Sequence, residues 1–382
     1  MKKINLKKDH LQIYKRENSK FWQIKIKLPN QKSIRRTSGT NILKEAKRIA
    51  INKYKYEMKF NKPMISFAKH YSYKSYHLIE SKGLSKKEIE CFLNESDKYI
   101  KFNNEKLKKS DLLKGRTIFN LFFEDSTRTR TSFEVAAKRL GADLINVSVK
   151  DSSINKGETL LDTMTKINSM SPDVLIVRHP EEGISKKISK IVKACVINAG
   201  DGSHEHPTQA LLDVLTIKKR FNSFKGLKIA ICGDIRHSRV ARSNIEILSK
   251  LGATINVIGP RSLIPKDVKK LGVNIYYDME NGLNNCDIVM MLRIQKERIV
   301  GTHTTNEKEY FNKYGLDYKK LAYAKKKAFV MHPGPMNRGV EIDTNLADDI
   351  TRSLIQEQVT MGVAIRMACL EILINNRDRH GI

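Results

Sequence analysis

The stretch from residue 122 to residue 134 concentrates side chains that can bind an anion. A β-prone apolar run, residues 117–123, leads into Ser126, Thr127, Arg128 and Thr129, and helical apolar spacing follows from Phe133. Hydroxyls, guanidinium groups and the free N–H groups of a helix start would then meet at one strand-to-helix turn. This arrangement suits a phosphate or carboxyl-phosphate group without a glycine-rich loop. By itself the string is equally consistent with a capped helix carrying solvated arginines.

Further polar groups follow other strand-like runs in the first half of the chain. Arg178 ends the buried run 174–177, and His206 and Gln209 come shortly after the run 194–200. The repeated order of strand, polar turn and helix predicts a parallel sheet with helices on both faces. Ligands of such sheets bind beyond the carboxyl ends of the strands, so we expect these groups to share a site with residues 126–130.

The second half of the chain repeats this pattern. Arg239 follows a strand at 227–232, Arg293 and Gln295 follow one at 287–292, and the rigid turn at Pro333 and Gly334 follows one at 328–331. No G-x-G-x-x-G sequence supports a dinucleotide site. A final helix, from residue 353 to about 374, is predicted to return to the first half.

Composition predicts a cytoplasmic protein. The 382 residues suggest two or three domains. The sequence contains no run of about 18 apolar residues, so no membrane span is predicted. The lysine-rich start lacks the apolar core and cleavage site of a secretory signal. Five scattered cysteines favour reduced thiols over disulfides or a zinc site, so we expect no metal and no cofactor.

Positive charge is concentrated at the N-terminus. Of the formal charge of +30, residues 1–75 carry 21 Lys+Arg against 4 Asp+Glu, a net of +17. Strands are predicted at residues 11–16, 21–28 and 32–38, followed by a helix from 42 to about 58 and a linker at 61–75. This predicts a separate basic module with an anionic partner.

Residues 1–60 resemble the arm-site DNA-binding domain of tyrosine recombinases. The resemblance is carried by the strand around Trp22, by the segment 35–40 and by the helix containing Glu45 and Ala46. It implies DNA binding by the sheet. No recombinase catalytic domain follows, so the alternative is a basic fusion remnant without a retained role.

From about residue 76 to the end, the chain resembles the transcarbamylase family, and within it the catalytic chains of aspartate carbamoyltransferases. The motifs are 126–130, 156–159, 177–180 and 206–209, in the family's order and spacing. The resemblance implies an α/β fold of two doubly wound parallel-sheet domains, here preceded by a small basic domain of three strands and a helix. Residues 76–215 with 352–382 would bind carbamoyl phosphate, and 216–351 would bind aspartate.

The resemblance implies transfer of a carbamoyl group from carbamoyl phosphate to L-aspartate, an early step of pyrimidine synthesis, without a cofactor. Direct attack by the amine through a tetrahedral intermediate is expected. The implied carbamoyl phosphate ligands are Ser126, Thr127, Arg128, Thr129, Ser152, Arg178, His206, Gln209, Pro333 and Gly334; Arg239, Arg293, Gln295 and Lys156 are those for aspartate. Arg128, Thr129, Lys156, Arg178 and His206 are the implied catalytic residues.

Ser152 and Lys156 belong to a loop that, in the family, enters the site of a neighbouring subunit, which implies a homotrimer. Regulatory or dihydroorotase chains are further implied partners. Arg293-x-Gln295 and the turn at Pro333 differ from the corresponding segments of ornithine carbamoyltransferases, and two cationic clamps suit a dicarboxylic acceptor. The alternatives are carbamoyl transfer to another amino acid, such as ornithine, and a DNA-binding fusion with an idle transferase half.

Overall fold

The computed structural model describes residues 2–7, 10–27, 33–60, 70–148, 159–295 and 306–381. The chain forms two compact units, one of Met1–Lys69 with Ser110–Lys114 and the other of His70–Lys109 with Gly115–Ile382. Residues 61–69 of the predicted linker lie outside the described residues. Tyr71 and Tyr73, near the end of that predicted linker, are buried.

The first unit is an antiparallel sheet with one helix. Its elements are β1 Lys2–Lys7, β2 Leu11–Lys15, β3 Gln23–Lys27, β4 Ser33–Thr37 and α1 Leu43–Phe60, and the strands pair in the order β1-β2-β3-β4. Apolar residues of one sheet face, among them Ile13 and Ile24, pack with Ala46 and Ala50 of α1. The prediction of three strands was therefore wrong by one. In β1 only Ile4 and Leu6 are apolar, and they alternate with lysine and asparagine, so its strand signal is weak.

The second unit contains two parallel sheets, which confirms the predicted fold class. The elements of the first half are α2 Lys86–Asn103, β5 Thr117–Phe122, α3 Thr127–Leu140, β6 Asp143–Ser148, α4 Leu160–Ser169, β7 Val174–His179, α5 Ile184–Ser189, β8 Cys195–Asp201 and α6 Pro207–Arg220. The strands of this first sheet pair in the order β6-β5-β7-β8. Alternate residues of β5 and β7 pack against α4 and α5, and helices α3 and α6 contact β5 and β8. Strands covered on both faces explain the continuous apolar runs in the sequence.

The half with the second sheet contains β9 Lys228–Cys232, α7 Arg239–Lys250, β10 Thr254–Ile258, β11 Asn274–Tyr276, α8 Met279–Leu283, β12 Ile288–Met291, α9 Glu307–Tyr314, α10 Tyr318–Leu321, β13 Phe329–Met331 and α11 Thr344–Asp348, and the chain ends with α12 Ile355–Arg379. The strands of this second sheet pair in the order β11-β10-β9-β12-β13. Helix α12 packs against α2, α3 and α6 of the first half. It is mostly buried, which explains why apolar residues occur around its whole circumference rather than along one stripe.

None of the helices within the described residues is long and apolar enough to cross a membrane.

Candidate active site

A cleft of about 1240 Å³ lies at the carboxyl ends of the strands of both parallel sheets. Loops that follow β5, β7 and β8 border it from the first sheet, and loops that follow β9, β12 and β13 border it from the second. Twelve of the predicted site residues line this one cleft: Ser126, Thr127, Arg128, Thr129, Arg178, His206, Gln209, Arg239, Arg293, Gln295, Pro333 and Gly334. Ser152 and Lys156, the remaining two predicted site residues, lie outside the described residues.

The start of α3 provides an anion-binding end to the cleft. Ser126 is the N-cap residue, but its hydroxyl makes no cap hydrogen bond, and the first turn of the helix contains no acidic residue. The first turn of a helix leaves backbone N–H groups without intrahelical partners and carries partial positive charge. Together with Arg128 and the hydroxyl of the buried Thr129, this turn is suited to a phosphate group.

Arg128 is held at this end by the turn after β13. Its Nη1 donates a 2.7 Å hydrogen bond to the carbonyl oxygen of Pro333. Gly334 has φ +67°, and a Cβ atom there would lie 2.1 Å from Nη1 of Arg128. The guanidinium group therefore occupies space that any other residue at position 334 would fill.

The turn itself is braced by a neutral histidine. Gly334 N–H donates to Nδ1 of His332 at 2.8 Å, and Nε2 of His332 lies 3.2 Å from Oε1 of Glu341. Because a backbone N–H only donates, Nδ1 must accept and Nε2 must carry the proton. Burial lowers the pKa of His332, which favours this neutral form.

Glu124 bridges two cationic side chains at the centre of the cleft. Its Oε1 lies 2.6 Å from Nη2 of Arg178 and also accepts from Nη2 of Arg239. Gly200, with φ +117°, allows both guanidinium groups to come close, since a Cβ atom there would lie 3.1 Å from each Nη1. Arg178 lies near the end of β7 in the first sheet and Arg239 begins α7 of the second half, so Glu124 connects the two halves of the cleft.

His206 lines the same cleft as a neutral ring that the charges of these cations affect. It is 3% exposed, and its Nδ1 has no hydrogen-bond partner within the described part of the chain. Burial, with the charges of Arg178, Arg366 and Arg239, holds the pKa of His206 well below its ordinary value. A neutral ring can donate one hydrogen bond to a developing oxyanion at neutral pH without adding charge.

The second half of the cleft is lined by Arg239, Arg293 and Gln295. Arg239 lies at the first position of α7, whose N-cap is Ser238. Gln295 donates from its Nε2 to the carbonyl oxygen of His237 at 2.9 Å, so its amide nitrogen holds the loop after β9. This contact positions the loop that carries Arg239 relative to the one that carries Arg293.

Sequence reasoning missed several residues that line the cleft, notably Glu124, Glu182, His237 and His332. Glu124 stands two residues before Ser126, in the segment that carries the hydroxyl and guanidinium cluster, and this proximity was the available signal. Within the described ranges, no group of three or more His, Cys, Asp or Glu side chains is placed to hold a metal ion.

Comparisons with known proteins agree with this geometry. A family model described as the carbamoyl-P binding domain of aspartate/ornithine carbamoyltransferase matches residues 76–219, and a model of the Asp/Orn binding domain matches residues 225–373. Both ranges begin after residue 75, so they give no support to the recombinase resemblance of residues 1–60.

Individual relatives point the same way. The aspartate carbamoyltransferase catalytic subunit of Rhodospirillum rubrum is 57% identical over 300 residues, which cover 78% of this chain and 94% of that protein. The corresponding subunit of Pelagibacter ubique is 54% identical over 296 residues, covering 78% and 95%. A solved structure of Trypanosoma cruzi aspartate transcarbamoylase with carbamoyl aspartate and phosphate is similar to this chain with a TM-score of 0.68 at 32% identity, covering 81% and 98%.

Proposed function

The chain belongs to the aspartate/ornithine carbamoyltransferase family, and on this premise we propose that it is an aspartate carbamoyltransferase. It transfers the carbamoyl group of carbamoyl phosphate to the amine of L-aspartate and yields N-carbamoyl-L-aspartate and phosphate, a step of pyrimidine synthesis. One observation carries the proposal. The phosphate-binding turn at α3 and two further arginines of the second half, Arg239 and Arg293, face a single cleft.

Carbamoyl phosphate binds at the first half of the cleft. Ser126, Thr127, Arg128 and Thr129 hold the phosphate, since hydroxyls, a guanidinium group and a helix start all favour an anion there. Gln209 and the backbone of Pro333 and Gly334 hold the carbamoyl NH₂ group. We assign residues 76–215 with 352–382 to this substrate and 216–351 to aspartate.

The reaction is a direct displacement at the carbamoyl carbon. The unprotonated amine of aspartate attacks, the C–N bond forms, and the carbonyl oxygen gains negative charge. Thr129, Arg178 and neutral His206 donate to that oxygen and stabilise the tetrahedral intermediate. The C–O bond to phosphate then breaks, and the amine proton leaves with the departing phosphate. Holding both substrates in one cleft supplies the remaining rate enhancement by orientation.

Aspartate is selected by its two carboxylates. Arg239 and Arg293 bind one carboxylate each, and Gln295 braces the loop beside them. An acceptor with a cationic side chain, such as ornithine, would meet repulsion from these guanidinium groups instead of a charge-assisted hydrogen bond.

The catalytic assembly is a homotrimer with shared sites. Support comes from the family resemblance of the segment with Ser152 and Lys156, which in the family reaches into a neighbouring subunit, with Ser152 toward carbamoyl phosphate and Lys156 toward aspartate. Regulatory or dihydroorotase chains would bind to this assembly. All five cysteines are free thiols, which favours a cytoplasmic location.

The direct test is phosphate release from carbamoyl phosphate with either aspartate or ornithine as acceptor, together with isolation of the carbamoylated product. We expect release with aspartate only. Release with ornithine alone would favour the alternative acceptor, and no release with either would favour an idle transferase half.

A second function is supported by the charge of the first unit. Strands β1 to β4 contain no acidic residue and carry Lys2, Lys3, Lys7, Lys15, Lys25, Lys27, Arg35 and Arg36. Asn5, Gln12, Lys25 and Arg35 are successive cross-strand partners and form one polar row across the sheet. Strand alternation places this row opposite the apolar face that packs against α1. Such a polar, cationic face is suited to a nucleic-acid backbone, so we assign DNA binding to residues 1–60.

The test compares two charge-reversed pairs in the full chain. The double variant Lys25→Glu with Arg35→Glu should abolish binding to duplex DNA at low salt. The control, Lys326→Glu with Lys327→Glu, changes the net charge by the same amount on an exposed part of the second unit and should still bind. Binding by the unaltered chain should fall steeply with salt concentration. If the unaltered chain shows no salt-dependent DNA binding, or if both double variants lose DNA binding equally, the first unit is better interpreted as a fusion remnant.

A further inference from the structure

The orientation of the Gln209 side chain is set by a carboxylate outside the substrate-binding set. Gln209 lies in the first turn of α6, and its Nε2 donates to Oδ1 of Asp213 at 2.9 Å, one helical turn further on. An ionised carboxylate only accepts hydrogen bonds, so the amide nitrogen must face Asp213. Among the described residues no group donates to Gln209 Oε1, and this oxygen is the polar atom of the amide that remains for the cleft.

Asp213 is held in place by two further amides. Asn244 donates to Oδ2 at 2.8 Å, and Gln358 of α12 donates to Oδ1 at 2.7 Å. The orientation of Gln358 is also determined, because its Oε1 accepts the backbone N–H of His332 at 2.9 Å. One chain of hydrogen bonds with a defined direction therefore connects Asp213 to Gln209 and to the turn that begins at His332.

We propose that Asp213 is a positioning residue for the carbamoyl amine: its carboxylate turns the Gln209 oxygen toward the substrate NH₂ and, through Gln358, holds the turn at Pro333 and Gly334 beside it. The inference rests on the proposed function, since it needs carbamoyl phosphate as the ligand. An NH₂ group donates two hydrogen bonds, and a rotated Gln209 amide would face it with a donor instead of an acceptor.

The charge of Asp213 is what makes the orientation unambiguous. The side chain is fully buried, and burial raises its pKa to about 6, although the three amides and Arg366 act in the opposite direction. Two guanidinium groups interact with it electrostatically, that of Arg366 of α12, itself 3% exposed, and that of Arg128. At pH 7.5 Asp213 is ionised and accepts from all three amides. At a pH below 6 it gains a proton, and the hydrogen bonds from the three amides are weakened because they are no longer charge-assisted.

The experiment measures discrimination between carbamoyl phosphate and acetyl phosphate, in which a methyl group replaces NH₂. Dissociation constants of both are determined for the full chain at pH 7.5. Asp213→Leu, which has a similar size but no acceptor for the nitrogen of Gln209, should reduce the preference for carbamoyl phosphate at least about tenfold. Gln209→Ala should reduce the preference similarly, and the double variant should lose no more than the larger single loss.

A destabilised α6 would weaken both ligands together, so Leu215→Ala, which removes a buried side chain of α6 outside the cleft, is the matched control. It should lower thermal stability and leave the preference unchanged. If Asp213→Leu does not fold, Asp213→Ala, which also lacks an acceptor and introduces no larger side chain, is measured in its place.

An unchanged preference in a folded Asp213→Leu or Asp213→Ala chain, or strictly additive losses in the double variant, would overturn the positioning role. A wild-type chain that binds neither acyl phosphate overturns the proposed function as well, and these outcomes are therefore distinguishable.

Discussion

Replacing Gly334 by alanine should displace Arg128 and weaken carbamoyl phosphate binding. The added Cβ would lie 2.1–2.3 Å from Nη1, Nη2 and Cζ of Arg128, more than 1 Å inside ordinary contact. The guanidinium group is the far end of a flexible side chain and can move aside, so the fold should survive. Its hydrogen bonds to Pro333 and to the phosphate would be lost or distorted.

The magnitude follows from the interactions that are removed. A hydrogen bond to a charged group contributes roughly 1.5–3 kcal/mol, so losing one from Arg128 to the phosphate should raise the dissociation constant about 10- to 150-fold. The alanine also adopts a left-handed backbone conformation, which costs about 1–2 kcal/mol of stability. Gly339 has φ +78° and nothing within 4 Å of an added Cβ, so Gly339→Ala carries the backbone cost alone.

Calorimetric titration of both variants with carbamoyl phosphate separates the two effects. Both should show a similar decrease in thermal stability, whereas only Gly334→Ala should bind more weakly by an order of magnitude or more. Wild-type affinity in Gly334→Ala would show that Arg128 does not need its present position. An equal loss in Gly339→Ala would assign the effect to the backbone of the loop instead of to the guanidinium group.

Three other changes test the remaining assignments. Arg293→Ala should raise the KM for aspartate far more than that for carbamoyl phosphate, and Arg128→Ala should do the reverse; steady-state kinetics showing equal effects would contradict the division. Lys156→Ala and Arg128→Ala should each be nearly inactive, yet co-refolded chains should recover roughly a quarter of wild-type activity if a cyclic trimer shares its sites; mixed trimers without recovery would argue against sharing. Burial lowers the pKa of His77 to about 4, so the stability due to its neutral ring is present above pH 6.5 and is lost as the pH falls toward 4. The control is His77→Asn, whose side chain can still accept the N–H of Val196. Between pH 7 and pH 5, the free energy of unfolding measured in urea should decrease by about 1 kcal/mol less in this variant than in wild type, after allowance for partial solvent exposure. Equal decreases in both proteins would show that the ring of His77 does not stay neutral.

Local patterns in the sequence were sufficient for the sheets and for most of the cleft. A parallel strand buried on both faces is a continuous apolar run, and the polar residues that follow it must lie at the carboxyl edge of the sheet. Ser126, Arg178 and His206 were located by this rule alone, without knowledge of which strands are neighbours. The rule failed for β1, where lysines alternate with only two apolar residues.

Such local patterns could not predict contacts between segments that are distant in the sequence. Glu124 could be read as one more acidic residue near a helix start, and only the folded chain brings it between Arg178 and Arg239. The sequence placed Gly334 in a turn of the predicted site, but only the folded chain shows that the guanidinium group of Arg128, 206 positions earlier in the numbering, occupies the space of its missing side chain.

Asp213 shows the same division most clearly. Its place on α6, one turn after Gln209, follows from helical spacing and is determined by the sequence. Its ionisation and its hydrogen-bond partners are not determined in this way. The side chain becomes buried only in the folded chain, and its partners Gln358 of α12 and Asn244 of α7 come from distant segments. Periodicity and strand ends are local properties of the polypeptide, whereas the dielectric environment and the direction of a hydrogen bond exist only once those segments are packed together.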